Sequence, residues 1–111
     1  MKSIALKENK DFRRLYHRGK SCASSCVVTY AMKSRQSTSR IGITASKKIG
    51  GAVERNRAKR VIRAAFTELE PRICGVYDFV FVARTRTTCV KMQAVKAQME
   101  SHFKELGVIK D

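Results

Sequence analysis

A chain of 111 residues, 43% of them hydrophobic, fits one domain spanning residues 1–111 with a modest core. Its 24 Lys and Arg against 9 Asp and Glu leave a formal charge of +15, a balance that favours a polyanionic partner. No run approaches the ~20 apolar residues that span a bilayer, and MKSIALKENK lacks the apolar stretch of a secretory signal, so a cytoplasmic protein without a membrane partner is expected.

In chain order, residues 1–8 read as a flexible basic lead-in. Asn9 is read as a helix N-cap, with the helix running to about Arg18 and Gly19 following its end. Phe12, Leu15 and Tyr16 share one apolar edge of that helix; Leu15 reads as core, whereas the two aromatic residues suit either core packing or base stacking. Residues 20–25 (KSCASS) read as a loop, and Cys26–Met32 (CVVTYAM) as a strand. The polar run 33–39 makes a hairpin-type connection to Arg40–Ser46. Here Ile41, Ile43 and Ala45 alternate with Gly42, Thr44 and Ser46, leaving one face small and polar. Tyr30 can offer a stacking surface beside that face, although alternation alone leaves its side of the sheet open.

Lys47–Gly51 (KKIGG) joins this strand to a second helix. Its glycines permit unusual backbone conformations, and lysines before a helix N-terminus favour nearby phosphate. The G-x-x-x-x-G-K-[ST] spacing of a P-loop is absent, so a nucleoside triphosphate site is not expected. In the helix, Ala58, Val61, Ile62, Ala65, Phe66 and Leu69 fall on one side. Arg55, Asn56, Arg57, Lys59, Arg60 and Arg63 fan over the other, and Glu54 lies in the first turn. Like charges at i, i+4 repel, and the forked guanidinium grips phosphate. This face is therefore the leading polyanion-binding candidate.

Pro71 ends the helix. Val76–Ala83 (VYDFVFVA) is apolar on both sides, as in a central strand, with Asp78 the exception. Thr88–Leu106 reads as a closing amphipathic helix carrying Met92, Val95, Met99, His102, Phe103 and Leu106. The expected architecture is α+β, an α/β sandwich in the order α-β-β-β-α-β-α, with helices packed on a mixed sheet.

No catalytic or metal-binding residue is expected on the protein itself. The carboxylates are scattered, the two histidines are far apart in sequence, and Cys22, Cys26, Cys74 and Cys89 lack paired ligand spacing. A zinc site from Cys22, Cys26 and His17 is conceivable but poorly spaced; reduced thiols are the expected state.

The run Ser46–Phe66 (SKKIGGAVERNRAKRVIRAAF) closely resembles the signature of the bacterial ribonuclease P protein subunit, whose hallmark is an Arg-Asn-Arg helix. Arg55-Asn56-Arg57 matches that hallmark, and Lys47-Lys48, Lys59-Arg60 and Arg63 match flanking positions. The resemblance extends to DFRRLYHRG (Asp11–Gly19), VVTYAM (Val27–Met32) and DFVFVAR (Asp78–Arg84). It implies a left-handed βαβ crossover resembling a domain of ribosomal protein S5. It also implies a subunit of the endoribonuclease that removes 5′ leaders from precursor tRNA, with an RNA subunit that is catalytic and binds most of the Mg2+. On the same basis Lys47, Lys48, Arg55, Asn56, Arg57, Lys59, Arg60 and Arg63 would contact the RNA subunit, and Phe12, Tyr16, Tyr30 and Arg84 the leader; no stable protein partner is required. The alternative is a ribosomal or nucleoid-type nucleic-acid-binding protein without a role in tRNA processing.

A chain so charged should gain stability from any anion that binds its folded form. Sulfate, phosphate or RNA should raise the melting temperature at matched ionic strength; an unmoved transition would argue against a folded-state anion site.

Overall fold

The computed structural model describes residues 2–110. The chain forms β1 (Ile4–Ala5), α1 (Asn9–Arg18), β2 (Lys20–Ala23), β3 (Val27–Lys33), β4 (Arg40–Thr44), α2 (Ala52–Leu69), β5 (Tyr77–Ala83) and α3 (Met92–Glu105). Short 3-10 turns occupy Lys47–Ile49 and Glu70–Arg72. The five strands make one mixed sheet in the order β1-β4-β5-β3-β2. β4 runs parallel to both β1 and β5, while β3 is antiparallel to β5 and to β2. A parallel β4–β5 pair needs a long crossover, and α2 supplies it.

β5 is central because both of its faces are covered. Tyr77, Phe79 and Phe81 face α2 and α3, whereas Val80 and Val82 face α1. On the first side Phe66, Phe79, Phe81 and Phe103 are fully buried, and the Phe66 ring stands edge-on to Phe79 at 5.6 Å. Burying each such ring contributes about 1.5–3 kcal/mol, so this side carries most of the apolar stabilisation. The α1 side is smaller, built on buried Leu6, Leu15 and Val80 with Phe12, Tyr30, Met32 and Val82 partly covered.

That smaller core is supplemented by charge. Arg40 donates to Asp78 through Nε (3.0 Å) and Nη2 (2.8 Å), and through Nη1 to Asp11 at 3.3 Å. Arg14 donates to the other Asp11 oxygen at 2.6 Å. Asp11 belongs to α1, Arg40 to β4 and Asp78 to β5, so one guanidinium ties the helix to two strands. The hydrogen bond to Asp78 raises the Arg40 pKa, against the opposing effect of burial. Gly42 completes the fit: a Cβ there would lie 2.5 Å from the Phe12 ring.

Several boundaries differ from the expectations. Lys20–Ala23 is a strand and not a loop, pairing with β3 from Lys20↔Ala31 to Ala23↔Val28. The lead-in is docked: Ile4 and Ala5 pair with β4, Leu6 is buried, and the Glu70 carboxylate accepts from the Lys2 and Ser3 backbone amides at 2.9 and 2.7 Å. Glu8, rather than Asn9, occupies the cap of α1 and makes no side-chain capping bond. The last helix starts at Met92, because Thr87 turns the preceding segment back onto β3 by donating to the Cys26 carbonyl at 2.6 Å. His102 is buried, its Nδ1 2.7 Å from the Thr29 hydroxyl.

Arg40→Ala would leave two carboxylates buried without their shared cation, which costs about 3–5 kcal/mol. Denaturant unfolding should register that loss, whereas Arg57→Ala on the exposed face of α2 should fall within about 0.5 kcal/mol of wild type. Equal stabilities for the two variants would remove Arg40 from its bridging role.

Candidate nucleic-acid interface

The amphipathicity of α2 is realised as expected. Ala58, Ile62, Ala65, Phe66 and Leu69 are buried against the sheet, and Val61 is half-buried. Asn56, Arg57, Arg60 and Arg63 are exposed, while Arg55 and Lys59 are half-covered. Among the described residues, none of the Lys and Arg side chains on this face joins a salt bridge. The acids are engaged elsewhere: Asp11 and Asp78 with Arg40, Glu8 with Lys10, Glu68 with Lys96, and Glu100 with Arg72. Glu70 holds the N-terminal segment, and Glu105 accepts from the Cys22 thiol at 2.7 Å. The ridge therefore presents largely uncompensated positive charge, exposed Glu54 in the first turn of α2 being the acid beside it.

The ridge begins at a shaped turn. Ser46 accepts from the Lys48 amide at 3.3 Å, placing Lys47 and Lys48 on an exposed 3-10 turn. Gly50 follows with φ +141°, a conformation that L side chains rarely adopt, and an added Cβ would press on Glu54 at 3.1 Å. Arg55 donates through Nη1 to the Gly50 carbonyl at 2.8 Å. Part of the Arg55 fork thus fixes the turn, which distinguishes it from Arg57, Arg60 and Arg63. No side chain caps α2, so its first-turn N–H groups add partial positive charge beside the lysines.

On the opposite face of the sheet lies a groove of about 460 Å³ along one flank of α1, lined by Asn9, Phe12, Arg13, Tyr16 and Thr44. Tyr16 is 40% exposed. The structure places Tyr30 on this same side, its ring edge-on to Tyr16 with centroids 4.9 Å apart. Neighbouring positions Thr44, Val82 and Val28 pair across three strands and are each half-buried, extending the floor beyond the aromatic residues. Phe12, Tyr16 and Tyr30 are therefore brought together. Arg84 is not with them: it lines a separate depression with Ser46, Lys48, Ile49 and Thr85, its amide bonded to Thr87 at 2.9 Å. The structure groups Arg84 with the lysine turn. Arg13, one residue after Phe12, is a groove cation that the helical pattern alone did not single out.

Among the described residues, no group of three His, Cys, Asp or Glu is arranged to hold a metal. Burial, then the hydrogen bond to Glu105, push the Cys22 thiol up to about 11, which makes it a poor metal ligand at neutral pH. Cys26 is buried and bonded to Gln98, and His17 is exposed, so the zinc arrangement considered from sequence is not assembled. Among the same residues, no helix is long and apolar enough to cross a membrane.

Comparison with known proteins gives a consistent result. The family model "Ribonuclease P" matches residues 1–107. A ribonuclease P protein component from Bacillus cereus is 40% identical over 108 residues, covering 96% of this chain and 94% of the relative. One from Clostridium botulinum is 34% identical, covering 97% and 98%. The fold is similar to that of the Staphylococcus aureus RNase P protein, with a TM-score of 0.83 at 32% identity over 98% of this chain and 100% of that one. It also resembles the Thermotoga maritima RNase P protein, with a TM-score of 0.78 at 26% identity over 96% and 98% of the two chains.

Proposed function

We propose a division of labour between the two surfaces of this chain, which belongs to the ribonuclease P protein family. As the protein component of that endoribonuclease it is one subunit of a ribonucleoprotein, and its partner is an RNA subunit. The family match favours this over a ribosomal or nucleoid protein.

In our reading, Arg57, Lys59, Arg60 and Arg63, with Asn56 and Lys47-Lys48, dock on the folded RNA subunit. Arg55 shares its guanidinium between the turn and the RNA. Each guanidinium can hold two phosphate oxygens, and the lysines neutralise as mobile point charges. The groove takes the single-stranded 5′ leader of precursor tRNA. Phe12, Tyr16 and Tyr30 stack on bases irrespective of sequence, and Arg13 pairs with the backbone. Arg84 beside Lys48 guides the same strand towards the turn. Hydrolysis is assigned to Mg2+ held mainly by the RNA subunit, since among the described residues no group of carboxylates is arranged to hold a metal and most of them are bound to cations, amides or a thiol. The protein's part is to bind, orient and neutralise.

The observation that carries this reading is the placement of a largely uncompensated cationic ridge and an aromatic groove on opposite sides of one sheet, joined by the lysine turn. Mixing the protein with a bacterial ribonuclease P RNA and a labelled precursor tRNA at low Mg2+ tests it: leader removal should require both components. Arg57→Ala should weaken binding of the RNA subunit about tenfold or more, the loss of a charge-assisted contact. Tyr16→Ala should weaken binding of precursor while leaving leaderless tRNA nearly untouched. Equal losses on both RNAs would contradict the groove assignment, and cleavage by the protein after removal of all RNA subunit would contradict the division of labour.

A further inference from the structure

A third surface combines charge with an apolar floor. It lies at the end of the sheet opposite the lysine turn, where β3 finishes and β5 starts. Arg18, Lys20 and Lys33 rim a depression of about 260 Å³ whose floor includes Tyr77 and Leu106 on the α2–α3 side of the sheet. The pairings Lys20↔Ala31 and Lys33↔Tyr77 fix the lysines on the sheet, and Arg18 is the last residue of α1. All three cations are exposed, and among the described residues none forms a salt bridge. Two acids adjoin the floor in sequence: Glu105, next to Leu106, accepts from Cys22, and Asp78, next to Tyr77, is held by Arg40. Tyr77 and Leu106 remain half-exposed.

We infer that this depression is a third RNA site, holding one nucleotide unit of a single strand with its phosphate on the rim and its base against Tyr77 and Leu106. The volume is below that of a drug-sized pocket and of the order of a nucleobase with part of its ribose. A bare anion would leave the apolar floor wet, and an acidic peptide would supply charge without a flat group to cover it. Aromatic and apolar surfaces beneath a cationic rim suit a base joined to a phosphate. The site is distinct from the groove, which lies along the flank of α1 formed by Asn9, Phe12, Arg13 and Tyr16. Its floor residues Tyr77 and Leu106 lie on the α2–α3 side of the sheet and the groove on the α1 side, so the sheet separates the two. The inference rests on RNA being the partner, but on none of the residues assigned to the ridge or the groove.

The test uses the full isotope-labelled chain without RNA subunit, titrated with adenosine 5′-monophosphate and, separately, inorganic phosphate at matched ionic strength. The nucleotide should shift the amides of Lys33, Tyr77 and Leu106 and bind about fivefold or more tighter there than phosphate, reflecting the base contact. Lys20→Glu with Lys33→Glu should abolish those shifts and leave any shifts at Phe12 and Tyr16 in place; an unchanged amide pattern elsewhere confirms the fold. Binding of the double variant to the RNA subunit alone, and to precursor tRNA with short and long leaders, then identifies which RNA occupies the site. Equal binding of phosphate and nucleotide, equal competition by a polyglutamate peptide, or no loss in either RNA arm would each overturn the inference. Reconstituted cleavage by the wild-type protein separates these failures from a failure of the broader reading.

Discussion

The position of α1 depends on a buried ion pair network as much as on apolar packing. Its core is a few side chains, and the groove exists only while the helix stays over β4, β5 and β3. Asp11 and Asp78 would repel one another if both were buried and charged; Arg40 converts that repulsion into a clamp by presenting one edge to each. Such networks seldom add net stability over an apolar replacement, because desolvation offsets the attraction. What Arg40 contributes is discrimination. Sliding α1 by a turn would expose the aromatic edge differently and carry buried Asp11 away from Arg40, whereas sliding a purely apolar contact would change little. The same fit depends on Gly42, whose missing side chain lets Phe12 lie directly on the backbone.

The acids follow the same logic across the molecule. With so few carboxylates, their locations decide where the positive field remains. They occur at structural joints: under α1, between α2 and α3 through Glu68–Lys96, between the Glu70–Arg72 turn and α3 through Arg72–Glu100, and at the N-terminal segment through Glu70. Glu54 at the start of α2 suits the helix dipole. Repulsion along the outer face of α2 is thus left in place and tolerated because its buried face is held by Phe66, Ile62 and Leu69.

Elements with two distinct faces were legible in the sequence. The periodicity of α2 marked its buried and charged sides, and the doubly apolar β5 announced a central strand, because in both cases burial selects side chains at regular spacing. The short strands were not legible for the converse reason. Lys20–Ala23 lies at the sheet edge, and only Cys22 is partly covered, so its composition is that of a loop while the pairing comes from the β3 backbone. Ile4–Ala5 is fixed by β4 and by the distant Glu70 carboxylate, neither of which leaves a local pattern. Tyr30 was ambiguous because β3 carries apolar groups on both faces. That Arg84 stands apart from the aromatic groove, beside the lysine turn, was not legible, because its amide is held by Thr87, which bonds to Cys26 across 61 positions.

Under the proposed division of labour, the separation of the surfaces bears on how a small protein would engage two RNAs at once. Were ridge and groove on one face, phosphates of one strand would compete for cations needed by the other, and the more highly charged RNA would win. On that reading, placing the sheet between α2 and α1 would give each strand its own counter-charge, with contact confined to the turn where Ser46, Lys48 and Arg84 meet. There the demand would be for flexible charge, since two phosphate chains would approach from different directions, and Lys meets it better than a rigid fork. The guanidinium that does reach this region, Arg55, is partly committed to the Gly50 carbonyl and holds the turn's shape. On that proposal the choice of lysine at the junction and arginine along the helix follows from geometry: directional grip where one RNA surface would be met, adaptable charge where two would converge.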